Sequence, residues 1–98
     1  MSGLMTVSEL ARAVAARETH GDGRIAFSSV STDTRTLAPG ALFVALRGER
    51  FDGHEYVAAA RERGAVVALV ERVVDVELPQ VVVADSKRAL GVSAMRSA

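Results

Sequence analysis

Cysteine is absent from this chain of 98 residues. Disulfides, thiolate catalysis and cysteine metal sites are therefore excluded. Lysine is nearly absent: of twelve basic residues, only Lys87 is not arginine. The guanidinium fork suits phosphate or carboxylate, although in a chain this rich in Ala and Val the same skew follows from codon composition. Net charge is absent too, with twelve basic residues against twelve acidic ones. With no basic tail and no like-charge run, that balance gives no polycationic surface for nucleic acid. No apolar run reaches membrane-spanning length, and the N-terminus lacks the basic-then-apolar layout of a signal peptide. The expectation is a soluble, cytoplasmic domain with neither membrane nor nucleic acid as partner.

What is present is enough for one small core. Hydrophobic residues make up 49% of the chain, which is ample for a single folded domain and argues against disorder. Thr6 and Glu9 have the spacing of a capping box, and Val7, Leu10, Ala11 and Val14 follow as one apolar stripe. This first helix is expected to fray near Glu18, before the turn residues His20-Gly21-Asp22-Gly23. Residues 25–32 read as one half-buried strand. Pro39-Gly40 fits the centre of a type II turn. The uniformly apolar residues 41–46 then read as a strand covered on both faces. A polar loop, residues 47–53, leads into a second helix ending near Arg63, with Gly64 as its stop and Asp52 with Glu55 as a second capping box. Residues 65–70 and 80–84 read as two more buried strands, with Pro79 at the entry of the last. Asp85 or Ser86 caps a final helix running past Leu90 and Met95. The sum is an α/β fold, a three-layer α/β/α sandwich with a small, largely parallel sheet and right-handed crossovers.

Most of the chemistry lies in residues 31–56, where two polar, turn-rich loops flank the apolar strand. Such loops on a rigid strand are a common setting for a ligand site. Gly48-Glu49-Arg50-Phe51-Asp52-Gly53 has the glycine spacing of a phosphate-binding P-loop. The residues that follow, His54 and Glu55, stand where that loop needs Lys and Ser or Thr. Glu49 and Asp52 would also repel a triphosphate, so an ATP site of this kind is not expected. Arg47 and Arg50 read either as a looser diphosphate grip or as solvated surface arginines. Asp33-Thr34-Arg35 reads either as a donor and acceptor set for a base or sugar, or as a turn whose side chains bond neighbouring backbone. His54 beside an acid reads as structural. No metal cluster and no nucleophile elbow is present in the sequence, so no catalytic residue and no cofactor is assigned to these residues.

Three segments together carry a resemblance. They are Thr32-Asp33-Thr34-Arg35, then residues 39–46 (Pro-Gly-Ala-Leu-Phe-Val-Ala-Leu), then residues 48–54 (Gly-Glu-Arg-Phe-Asp-Gly-His). Gly64-Ala65, residues 78–83 and Asp85 followed by Ala89-Leu90-Gly91 continue it. The chain resembles the N-terminal domain of a Mur ligase over essentially its whole length. Within that family the wording of residues 48–54 is most like the branch that adds D-alanyl-D-alanine to UDP-MurNAc-tripeptide. The sister branch that adds the third amino acid shares the Asp-x-Arg and Asp-Gly elements. Thr34 stands where the family more often has Ser, and Ala41 where it often has Asp.

The resemblance implies a three-domain cytoplasmic enzyme of peptidoglycan synthesis, of which this chain is the first part. ATP and Mg²⁺ would serve the central and C-terminal domains, which are the chain's implied partners, while this domain alone would not ligate. Thr32, Thr34, Arg35, Glu49, Arg50 and Phe51 are the implied contacts to the UDP end of a UDP-MurNAc-peptide. Asp33, Asp52, Gly53 and His54 are the implied loop braces. A stand-alone module that binds a nucleotide or a protein is the alternative from a different class.

Overall fold

The structure is a computed structural model that describes residues 5–97, with side chains described for residues 5–91. Its main sheet has five strands: β2 (Glu18–His20), β4 (Ser29–Ser31), β5 (Ala41–Val44), β6 (Val67–Val70) and β7 (Gln80–Val82). Their order is β2-β7-β6-β5-β4, parallel throughout except for the antiparallel edge strand β2. A separate two-stranded sheet pairs β1 (Met5–Thr6) with β3 (Ala26–Phe27).

Strand pleating divides the core in two. Leu42 and Val44 of β5 point to one face, where they join Leu69, Val81 and the helices α1 (Val7–Ala13) and α3 (Ser86–Ser97) through Val7, Leu10 and Ala89. Ala41 and Phe43 point to the other, where Val57 and Ala60 of α2 (Val57–Glu62) cover them. The result is the three-layer α/β/α sandwich expected, with a sheet whose central strands are fully buried.

Several local expectations are met for the physical reasons given. Thr6 and Glu9 make the reciprocal capping box, with Thr6 N–H donating to Glu9 Oε1 at 2.8 Å and Glu9 N–H donating to Thr6 Oγ1 at 3.2 Å. Gly40 has φ +87° and Ala41 N–H donates to Ala38 O at 3.2 Å, which closes the turn around Pro39-Gly40. Gly64, at φ +107°, ends α2. Asp85 accepts from Arg88 N–H at 3.1 Å and so caps α3.

Three expectations are corrected. The first helix ends at Ala13 rather than near Glu18. Ala15 turns the chain with φ +53°, and residues 18–20 become strand β2 because their backbone pairs with β7. Residues 25–32 do not form one strand. They divide at Ser28, whose N–H donates to Gly40 O at 2.9 Å, so that β3 serves the small sheet and β4 the large one. Finally, Asp52 and Glu55 make no capping box. A 3-10 turn, Gly53–Tyr56, precedes α2, and the Asp52 carboxylate accepts from His54 N–H at 3.0 Å.

Candidate functional site

Parallel strands end their carboxyl termini on one edge of a sheet, and in open α/β sheets ligands bind outside those ends. The loop after β4 and the turn after β5 meet there. Between them opens a cavity of about 430 Å³ lined by Thr32, Asp33, Thr34, Arg35, Phe43, Phe51 and Tyr56.

One wall is the loop after β4. Asp33 is its keystone: the carboxylate Oδ1 accepts from Arg35 N–H at 2.8 Å and closes a tight local turn. The Arg35 guanidinium then folds back on the same carboxylate, with Nη2 donating to Oδ2 at 2.8 Å and Nε donating to Oδ1 at 3.1 Å. Ser31 Oγ donates to Asp33 O at 2.9 Å from the strand side. The Arg35 side chain and backbone N–H hold the Asp33 carboxyl below its ordinary pKa, with Arg63 adding a weaker attraction. Asp33 therefore takes the structural role open to these residues in sequence. Thr32 and Thr34 do not: their half-buried hydroxyls hydrogen-bond no other described residue. Two hydroxyls, each donor and acceptor, are thus left unengaged on residues that line the cavity.

The opposite wall is aromatic. Phe51 and Tyr56 stack with ring centroids 5.3 Å apart and planes inclined by 21°, an offset arrangement favoured by the ring quadrupoles. Both rings remain about 45% exposed, which is costly for apolar surface unless something covers it. Phe43, fully buried from the α2 side, forms the floor.

The loop carrying Phe51 is a tight hairpin. Gly48 N–H donates to Phe51 O at 2.7 Å, and Gly53 N–H donates to Leu46 O at 2.6 Å. These amides are consumed within the hairpin and do not form the anion-binding cradle of a P-loop. With Glu49 and Asp52 in the same loop and no Lys after it, residues 48–54 do not fit a nucleoside triphosphate. Gly53 packs so closely on the residues just after β5 that a Cβ there would meet Leu46 N at 2.7 Å and Ala45 Cα at 2.9 Å.

Behind the hairpin sits a polar brace. The His54 side chain is 1% exposed, and its Nδ1 lies 2.6 Å from Asp52 Oδ1. Arg72 Nη2 donates to Asp52 Oδ2 at 3.1 Å. The Asp52 carboxyl is pushed well below its ordinary pKa, first by the His54 backbone N–H, then by the His54 ring and Arg72.

The structure thus brings Thr32, Asp33, Thr34, Arg35 and Phe51 to one cavity, with Asp52, Gly53 and His54 behind its wall. It does not bring Glu49 or Arg50 into the lining; both are exposed at the hairpin tip. Sequence reasoning missed Phe43 and Tyr56. Phe43 looked like plain core within an apolar run, and Tyr56 lies at the helix start, five residues past Phe51. The chain's only tyrosine at the end of a polar loop was the available signal. Among the described residues no group of His, Asp and Glu is placed to hold a metal ion.

Residues 26–95 match the Mur ligase family, catalytic domain. Over 67 residues the chain is 51% identical to the UDP-N-acetylmuramoyl-tripeptide–D-alanyl-D-alanine ligase of Escherichia coli strain K12, covering 68% of this chain and 15% of that enzyme. Over 90 residues it is 37% identical to the UDP-N-acetylmuramoyl-L-alanyl-D-glutamate–2,6-diaminopimelate ligase of Listeria monocytogenes serotype 4b, covering 92% of this chain and 18% of that one. A crystal structure of MurF from Acinetobacter baumannii superposes with a TM-score of 0.82 at 38% identity, over 94% of this chain and 20% of that one. The chain spans no more than about a fifth of the length of these relatives. By sequence and by fold, this chain belongs to the Mur ligase family.

Proposed function

We propose that this chain is the UDP-substrate-binding domain of a peptidoglycan-synthesising ligase, and that its cavity takes the uridine end of a UDP-MurNAc-peptide. The observation that carries this reading is the pairing, across one cavity, of two unengaged threonine hydroxyls with an exposed aromatic pair. A uracil offers a flat face and an edge with both donors and acceptors. Stacking on an aromatic side chain is worth about 1–3 kcal/mol per base, and Thr32 and Thr34 supply hydroxyls able to donate or accept as the edge requires. Arg50, exposed at the hairpin tip and in no ion pair among the described residues, is free to meet the diphosphate outside the cavity. The Asp33–Arg35 pair and the Asp52–His54 pair each stiffen one wall from within its own loop.

This domain contributes grip rather than bond making. Fixing a large substrate by a remote handle supplies binding energy that orients its reactive end. Residues 48–54 do not fit ATP, so ATP and Mg²⁺ belong in this reading to the rest of a cytoplasmic ligase. Of the two branches, the one that adds D-alanyl-D-alanine is favoured, because the Escherichia coli relative at 51% identity and the Acinetobacter baumannii structures both belong to it.

Isothermal titration of the chain with UDP, ADP and ATP tests the reading. UDP gives a saturable heat that neither adenine nucleotide matches. Equal binding of all three, or of none, would count against a uridine site.

A further inference from the structure

One buried imidazole, His54, belongs to the same turn as the cavity's aromatic wall without lining the cavity itself. His54 lies between Phe51 and Tyr56 in sequence, at the start of the 3-10 turn, with its side chain 1% exposed. Its Nε2 accepts from Glu71 N–H at 2.9 Å, at the carboxyl end of β6. A backbone N–H can only donate, so Nε2 carries no proton. The ring is therefore the neutral tautomer with hydrogen on Nδ1, and it donates to Asp52 Oδ1 at 2.6 Å. Both ring nitrogens are committed, one to each side.

The partners are themselves anchored. Asp52 is held by His54 N–H and by Arg72 Nη2. The Glu71 side chain accepts from Ser86 N–H at 2.9 Å, and its Oε1 lies 3.5 Å from Arg47 Nη2 in the hairpin. Ser86 Oγ, buried at the start of α3, lies 2.9 Å from Ala45 O. The ring thus bridges the hairpin to a rigid corner where β5, β6 and α3 meet.

We propose that His54 is a positioning residue of the cavity. In its Nδ1–H tautomer it ties the Asp52–Tyr56 turn to Glu71 and so sets where the Phe51–Tyr56 wall stands relative to Thr32 and Thr34. The proposal deepens the nucleotide-site reading and rests on it for its consequence in binding, though not for its geometry.

The geometry is tested on the unmodified chain by long-range ¹H–¹⁵N NMR of the His54 ring. Nδ1 gives a pyrrole-type signal and Nε2 a pyridine-type one; a protonated Nε2 overturns the proposal. Two variants then separate the bonds. His54→Gln places an acceptor near the Nε2 position, and His54→Asn keeps a donor near Nδ1, but neither spans both partners. Each weakens UDP binding about 3- to 10-fold, the equivalent of roughly one lost hydrogen bond. Each also shifts the Phe51 and Tyr56 ring resonances, while only His54→Asn speeds exchange of the Glu71 amide. Unchanged ring resonances and unchanged UDP affinity in both variants overturn the proposal. If the unmodified chain binds no UDP, the nucleotide reading fails by itself. The tautomer and the ring resonances then still decide the role of His54; if one variant fails to fold, the tautomer of the unmodified chain and the ring resonances of the other variant decide it.

Discussion

Gly53→Ala is the sharpest single perturbation of the cavity's support. The added methyl would sit 2.7 Å from Leu46 N, 2.8 Å from Leu46 O and 2.9 Å from Ala45 Cα. All three are backbone atoms just past the end of the buried strand β5, so nothing can rotate away. The 3-10 turn must lift instead, stretching the 2.6 Å bond from Gly53 N–H to Leu46 O. Overpacking of this kind costs about 1–3 kcal/mol, a large fraction of the roughly 5–15 kcal/mol that holds a small domain together. For a chain of this length the melting temperature drops by about 5–20 °C. Gly48→Ala is the matched control in the same hairpin. Its Cβ would meet only Phe51 O at 3.9 Å, and its φ lies outside the left-handed range. There the loss of chain entropy in the unfolded state makes alanine neutral or stabilising by up to about 1 kcal/mol. Urea melts followed by circular dichroism read both, with m unchanged. Equal midpoints for the two variants would refute the close approach of the hairpin to β5.

Other outcomes follow from the same geometry. Asp22, Asp33 and Asp52 all have folded pKa values below their ordinary ones, chiefly through hydrogen bonds from Arg24, Arg35 and His54 respectively. Their stabilisation is complete above the unfolded value of about 4 and is lost as pH falls through the folded values. The urea midpoint therefore falls below about pH 4, and Asp52→Asn lowers it at pH 7 while flattening that acid limb. Ala15 has φ +53°, a conformation that costs an L-residue about 1–2 kcal/mol and glycine little. After glycine's entropy cost, Ala15→Gly gains about 0.5–1 kcal/mol in the same urea melts; a loss would contradict the strained turn. Thr34→Val removes a hydroxyl that no described residue uses. It leaves the melt within about 0.5 kcal/mol of the parent and weakens UDP binding about tenfold in calorimetric titration.

Much of the fold was legible where a local rule operates alone. The Thr6–Glu9 box, the Pro39-Gly40 turn and the Gly64 stop each depend on a few neighbouring residues, and each appears as expected. The misses are positions where a distant partner decides. Glu18, Thr19 and His20 are all exposed and show no apolar period, yet they form a strand because β7 offers its edge. The break at Ser28 is equally invisible locally, since it needs Met5–Thr6 to pair with Ala26–Phe27 on one side and Gly40 to capture Ser28 N–H on the other. Asp52 failed as a capping-box partner because the His54 ring and backbone take its carboxylate first. For the cavity, the turn residues Thr32 to Arg35 and Phe51 carried a readable polar or exposed signature. Phe43 did not, because one aromatic within a run of buried aliphatics reads as core until the strand's end is seen to open.

The most direct measurement is a map of backbone and ring chemical shifts as UDP is added to the ¹⁵N,¹³C-labelled chain. The account predicts saturable changes concentrated at Thr32, Thr34, Phe43, Phe51 and Tyr56, with the β2 edge of the sheet unmoved. Saturation with no change in that set at millimolar UDP, or changes centred elsewhere, would contradict it.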